Sequence, residues 1–150
     1  MAAIKPKAYY SCLDMTCIRI APQAVQHLVI NQFAEKLGGK VSFYTAENTH
    51  TRESHEVILA KVNERPAVDG LIYYRLAQFL SPAKGPALEV MRAIMAAGYE
   101  LHFAVDKVSL LKPADLDAFF PMLSATANAE RGEQERDGLE ALLRARPDDD

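Results

Sequence analysis

The sequence has no tryptophan and only two cysteines, Cys12 and Cys17, among 150 residues. Two thiols this close together do not make a disulfide framework, and no further ligand at matching spacing completes a zinc site around them. They read as buried free thiols, because an unpaired cysteine behaves as a small core residue. A basic excess is missing as well: 17 Lys and Arg stand against 20 Asp and Glu, for a net charge of −3. Nucleic acid is therefore disfavoured as a partner, since its phosphates are usually met by clustered Lys and Arg. No apolar run approaches the roughly 20 residues of a membrane-spanning helix, and the stretch Met1-Ala2-Ala3-Ile4-Lys5-Pro6-Lys7 lacks the apolar centre of a signal peptide. A cytoplasmic protein with no membrane contact is expected. The chain also contains no Gly-x-Gly-x-x-Gly after its first strand, no Gly-Lys-Ser/Thr phosphate loop and no Gly-x-Ser-x-Gly elbow. Those absences argue against a dinucleotide enzyme, a nucleotide hydrolase or an esterase of the usual kinds, and no cofactor is expected.

What is present is globular composition, with 49% hydrophobic and 25% charged residues, at the length of one ordinary domain. Residues 8–13 are apolar and aromatic, bounded by Pro6 and Asp14, and read as a buried strand. Pro22 then opens a helix through residue 37 in which Val25, Leu28, Val29, Gln32, Phe33 and Leu37 recur at three and four, stopped by Gly38-Gly39. A second strand spans 40–45, and Thr49 or Thr51 can cap a second helix that runs through Asn63 and turns Val57, Ile58, Lys61 and Val62 partly inward. After the Asp69-Gly70 turn, Leu71-Ile72-Tyr73-Tyr74 has the uninterrupted apolar character of a central parallel strand. A loop over 81–86, a third helix carrying Leu88, Val90, Met91, Ile94 and Met95, a strand over 99–105, and a helix opened by Pro113 with Leu116, Phe119, Phe120 and Leu123 complete the pattern. From residue 127 the composition turns to charge and small residues. Residues 1–126 are expected to form one domain and 127–150 a charged C-terminal helix or tail, with Leu139, Leu142 and Leu143 on a short amphipathic helix and the end disordered. Alternating strands and helices require crossover connections, so the expected fold is three-layer α/β with a mostly parallel sheet of four to five strands, flavodoxin-like or serine-recombinase-like.

In such sheets ligands bind beyond the carboxyl ends of the strands, where the strand order reverses. That rule selects Asp14 and Arg19 with Gln23 and Gln26, then Glu47, Asn48, His50 and Arg52, then Tyr74, Arg75 and Gln78, then Asp106 and Lys107. The run from Glu47 to Glu56 is the densest in reactive side chains. His50, oriented by Glu47, has the residue types of an acid–base pair, while Arg52 and Arg75 offer planar forks of donors to a phosphate or carboxylate. The plainer alternatives are a solvated loop and a salt bridge from Arg75 to Asp14 or Glu47. Asp14, Gln26, Arg52, Tyr74, Arg75, Gln78 and Asp106 are the candidate ligand contacts, with Glu47 and His50 the candidate catalytic pair. His50 and His55 are five apart and do not share a helical face, so no metal site is expected. His102, between Leu101 and Phe103, reads as a hydrogen-bonded core histidine and His27 as a surface residue.

Four stretches in order, 24–34, 43–47, 68–76 (Val68-Asp69-Gly70-Leu71-Ile72-Tyr73-Tyr74-Arg75-Leu76) and 98–106, resemble the small sporadic carbohydrate cluster proteins encoded among bacterial genes for surface polysaccharide. The resemblance spans roughly residues 9–108. It implies an accessory role in surface polysaccharide or lipopolysaccharide synthesis, with a sugar or sugar nucleotide bound or modified. The same outline is similar to the catalytic domain of serine recombinases, with Tyr74-Arg75-Leu76 in the place of that family's Asp-Arg-Leu segment. This chain has Cys12-Leu13-Asp14 where those enzymes carry an Arg and a nucleophilic Ser, and Gln78 or Phe79 stands where they carry a second Arg. The second resemblance therefore implies a fold without strand-cleaving chemistry. Its functional alternative is a non-catalytic dimerisation or scaffold module, and under either reading a homo-oligomer is expected.

Overall fold

The computed structural model describes residues 6–15, 19–47, 52–81 and 85–144. In chain order the elements are β1 (Lys7–Asp14), α1 (Gln23–Lys36), β2 (Gly39–Glu47), α2 (Arg52–Asn63), β3 (Gly70–Tyr73), a 3-10 turn (Leu76–Phe79), β4 (Leu80–Ser81), β5 (Gly85–Pro86), α3 (Leu88–Ala96), β6 (Glu100–Phe103), β7 (Val108–Leu110) and α4 (Pro113–Arg144). Five strands form one sheet in the order β2-β1-β3-β6-β7. The first four run parallel, and β7 returns antiparallel along β6.

Both faces of this sheet are covered, which is why its inner strands read as unbroken apolar runs rather than alternating ones. On β1, Tyr9 and Leu13 join Ile30 and Ala34 of α1, while Tyr10 and Cys12 point to the opposite layer of α2, α3 and α4. Ile72 of β3 joins the α1 side. Leu71 and Tyr73 join the larger cluster with Ile58, Met91, Ile94, Phe103, Leu116 and Leu123. Gly70 permits this packing locally, because a Cβ there would lie 2.6 Å from the Glu100 carbonyl oxygen on the neighbouring strand. Gly38 (φ 79°) and Gly98 (φ 95°) follow α1 and α3 in the left-handed conformation that ends helices.

Four details depart from the sequence reading. The buried face of α1 is Gln26, Ile30 and Ala34, flanked by Val29, Phe33 and Leu37; Val25, Leu28 and Gln32 face solvent. The stripe is rotated because Gln26, although polar, is drawn inward by hydrogen bonds. The loop expected over 81–86 brings β4 and β5 together as a two-residue antiparallel ladder. The fourth strand stops at Phe103, where a turn containing Lys107 (φ 56°) leads into β7, too short to stand out as an apolar run. Finally, α4 is continuous over 32 residues, passing Pro121 and residue 126 without a break. Its charged half is rich in Ala, Glu and Arg, which favour helix as strongly as an apolar stripe does. Among the described residues no helix is long and apolar enough to cross a membrane.

Candidate functional site

Strand β1 is flanked by β2 on one side and β3 on the other, and the chain reaches them by crossovers of opposite direction. The switch point therefore lies between the carboxyl ends of β1 and β3, where Asp14 and Arg75 sit. Asp14 is completely buried as the last residue of β1, and the Arg75 Nε donates to its Oδ2. The Arg75 side chain retains 35% of its exposure. A carboxylate is costly to bury and tolerable only with such a partner, so the two residues are obligatory neighbours.

The surrounding polar groups bind one another. Gln26 reaches from α1 to the end of β1, where its Oε1 accepts from the Asp14 backbone N–H at 2.7 Å. Its Nε2 donates to the carbonyls of Asp14 at 2.8 Å and Ala21 at 2.9 Å, which pins both ends of the loop between β1 and α1. Gln78 does the same for the next segment: its Oε1 accepts from the Arg75 N–H at 3.0 Å and its Nε2 donates to the Cys12 carbonyl at 3.2 Å. Asp106, after β6, accepts at Oδ2 from the Leu76 N–H at 2.6 Å and so caps the 3-10 turn. Tyr74 is half-buried against the α1-side core, and its N–H donates to the Cys12 carbonyl at 3.2 Å.

Asp14, Gln26, Tyr74, Arg75, Gln78 and Asp106 are thus brought to one rim, as the crossover topology requires. Much of their bonding capacity joins the loops to one another. Glu47 ends β2 in register with Asp14, and Arg52 opens α2; the side chains of both, together with His50 and Cys17, lie outside the described residues. Near the rim Cys12 is buried beside Tyr73, and burial holds its thiol far above its ordinary pKa, so it is a thiol rather than a nucleophilic thiolate. Ser11 is fully buried on the opposite face of β1. Among the described residues no group of three His, Cys, Asp or Glu side chains is arranged to hold a metal ion.

A second polar cluster lies toward the other end of the sheet. His102 is fully buried, with Nδ1 2.7 Å from Ser109 Oγ and Nε2 2.9 Å from Glu100 Oε1. Glu100 also accepts from Lys7 Nζ at 3.0 Å and from Tyr9 Oη at 3.3 Å. Burial lowers the His102 pKa against the opposing pull of Glu100. Glu100 and His102 are legible as same-face neighbours two apart on a strand. Ser109 is not, because its position depends on β7 turning back.

No protein-family model matches the chain, and no curated protein matches it. Among solved structures it is similar to a resolvase family site-specific recombinase from Streptococcus pneumoniae, with a TM-score of 0.59 and 15% identity over 93% of this chain and 97% of that one. The fold is resolvase-like. At that identity the likeness is one of architecture alone.

Proposed function

We propose that this chain uses a resolvase-like fold as a self-associating scaffold, with the distal half of α4 covered by a second copy. The observation that carries the reading is the exposure of Leu139, Leu142 and Leu143, at 58%, 72% and 58%, on one stripe of a helix. A helix of 32 residues spans about 48 Å, whereas among the described residues the side chains that α4 buries in the core, Leu116 and Leu123, belong to its first part. Leucines spaced three and four apart, flanked by Arg136 and Glu140, have the pattern of a helix that packs against a like helix. The switch-point rim supports a non-cleaving role, since Asp14 occupies the strand end and its charge is matched by Arg75. Light scattering of the purified chain tests the reading: an assembly that L139E/L143E converts to monomer is the expected result. A wild-type chain that stays monomeric at every concentration would sink it.

A second reading rests on the part of Arg75 that remains open to solvent beside Tyr74 at the switch point. In it the chain is an accessory protein of bacterial surface-carbohydrate synthesis, in the cytoplasm, that takes a sugar or sugar nucleotide. Arg75 and Arg52 would meet the phosphates, Asp14, Gln26, Gln78 and Asp106 would shape the rim, and His50 with Glu47 would supply acid–base chemistry. The support is the motif resemblance together with this guanidinium. Calorimetric titration with a panel of sugar nucleotides decides it, and the absence of heat from all of them removes it.

A further inference from the structure

Ser109, His102 and Glu100 stand in line across the β6–β7 edge, on the sheet face that also carries Tyr9. Register partners across an antiparallel pair share a face, and His102 is the partner of Ser109; residues two apart on a strand also share one, and Glu100 precedes His102 by two. The hydrogen bonds assign the tautomer. An ionised Glu100 can only accept, so the ring proton lies on Nε2 and the Nδ1 lone pair faces the Ser109 hydroxyl. This is the arrangement a general base needs toward a serine, with a carboxylate orienting the ring from behind. Glu100 is itself fixed by Lys7 and Tyr9, and His102 by ring contacts with Tyr9 and Phe33. Ser109, in contrast to the buried histidine, is exposed.

We propose that Ser109 is an activated nucleophile for acyl transfer from carboxylic esters. Because β7 is the last strand of the sheet, every second backbone N–H along it points away from β6, which supplies donors toward a developing oxyanion near Ser109. In the first step Oγ bonds to the ester carbonyl carbon and its proton passes to His102 Nδ1. The carbon–alkoxy bond then breaks, the alcohol leaves with that proton, and the acyl group remains on Ser109. Water attacks in the second step and gives its proton to His102. The acyl–Oγ bond breaks, the carboxylic acid departs, and Ser109 regains its proton. Glu100 is a positioning residue throughout.

The full-length chain treated with a fluorophosphonate probe tests this, because Oγ–P bond formation expels fluoride by the same base-assisted route. The expected result is a single adduct at Ser109 by peptide mapping, absent in S109A, and release of p-nitrophenol from p-nitrophenyl butyrate that S109A abolishes. Substitution H102Q is expected to slow labelling about a hundredfold. Groups facing His102 are Glu100 on its own strand, Lys7 and Tyr9 on β1, Phe33 on α1 and Ser109 on β7. Since Glu100 raises the pKa of His102, E100Q should move the midpoint of the labelling rate to lower pH as well as reduce the plateau. Wild-type chain that gains no adduct at Ser109 overturns the proposal without reference to any variant's folding. Labelling that persists undiminished in a folded H102Q does so equally.

Discussion

At the level of single residues, the Asp14–Arg75 pair is the feature with the largest energetic consequence. Arg75→Ala leaves a carboxylate with no exposure and without its guanidinium partner, a loss that costs about 3 kcal/mol. Urea unfolding should show this as a lower midpoint with the slope unchanged, and a midpoint equal to wild type would mean that the pair contributes nothing. His102 works through pH. Its folded-state pKa lies below the ordinary 6.5, chiefly because burial disfavours the charged ring. Below pH 6.5 the unfolded chain therefore takes up a proton that the folded chain refuses, so stability falls as pH drops through that value and levels off beneath the folded pKa. In H102Q this part of the slope should vanish, which thermal melts above and below pH 6.5 would register. The sequence made the alternatives at these positions visible without choosing between them. Arg75 could be read either as an anion receptor or as a partner of Asp14, and only the distance across the switch point decides. Gln26 was a different case. A glutamine on a helix looks like a solvent or ligand contact until the loop it ties down is seen.

At the level of elements, strand contacts depend on positions where a side chain has no room. Gly70→Ala would push a methyl into the Glu100 carbonyl on β6, so the β3–β6 ladder must separate or bend. A destabilisation of about 2 kcal/mol is expected, measurable by chemical unfolding, and a neutral effect would show that the two strands are freer to shift than their register suggests. The long parallel strands and amphipathic helices were legible because burial on both faces leaves a continuous apolar signature. Elements of two or three residues, such as β4, β5 and β7, carry no such signature and arise from tertiary pairing. The length of α4 escaped for the opposite reason. The described side chains of its second half, Arg136, Leu139, Glu140, Leu142 and Leu143, are exposed, and helix there is favoured by residue propensity, which composition alone presents as a short helix or a tail.

At the level of the molecule, the order of crossovers was the inference from which the site followed. Four strand ends were expected along one rim, and the β2-β1-β3-β6 order places Asp14, Arg75 and Asp106 there, with Arg75 bonded to Asp14 and the Leu76 N–H to Asp106. The antiparallel β7 closes the sheet on the far side and brings Ser109 over His102. Pro121 lies within the packed part of α4, between the buried Leu116 and Leu123. Lacking an amide hydrogen, it cannot bond back to the carbonyl of Asp117, so the helix has a missing rung inside its packed part. Because Leu123 is held in the core just beyond that gap, packing on both sides of Pro121 keeps the helix continuous there, and the outer half of α4 takes its direction from the anchored first part.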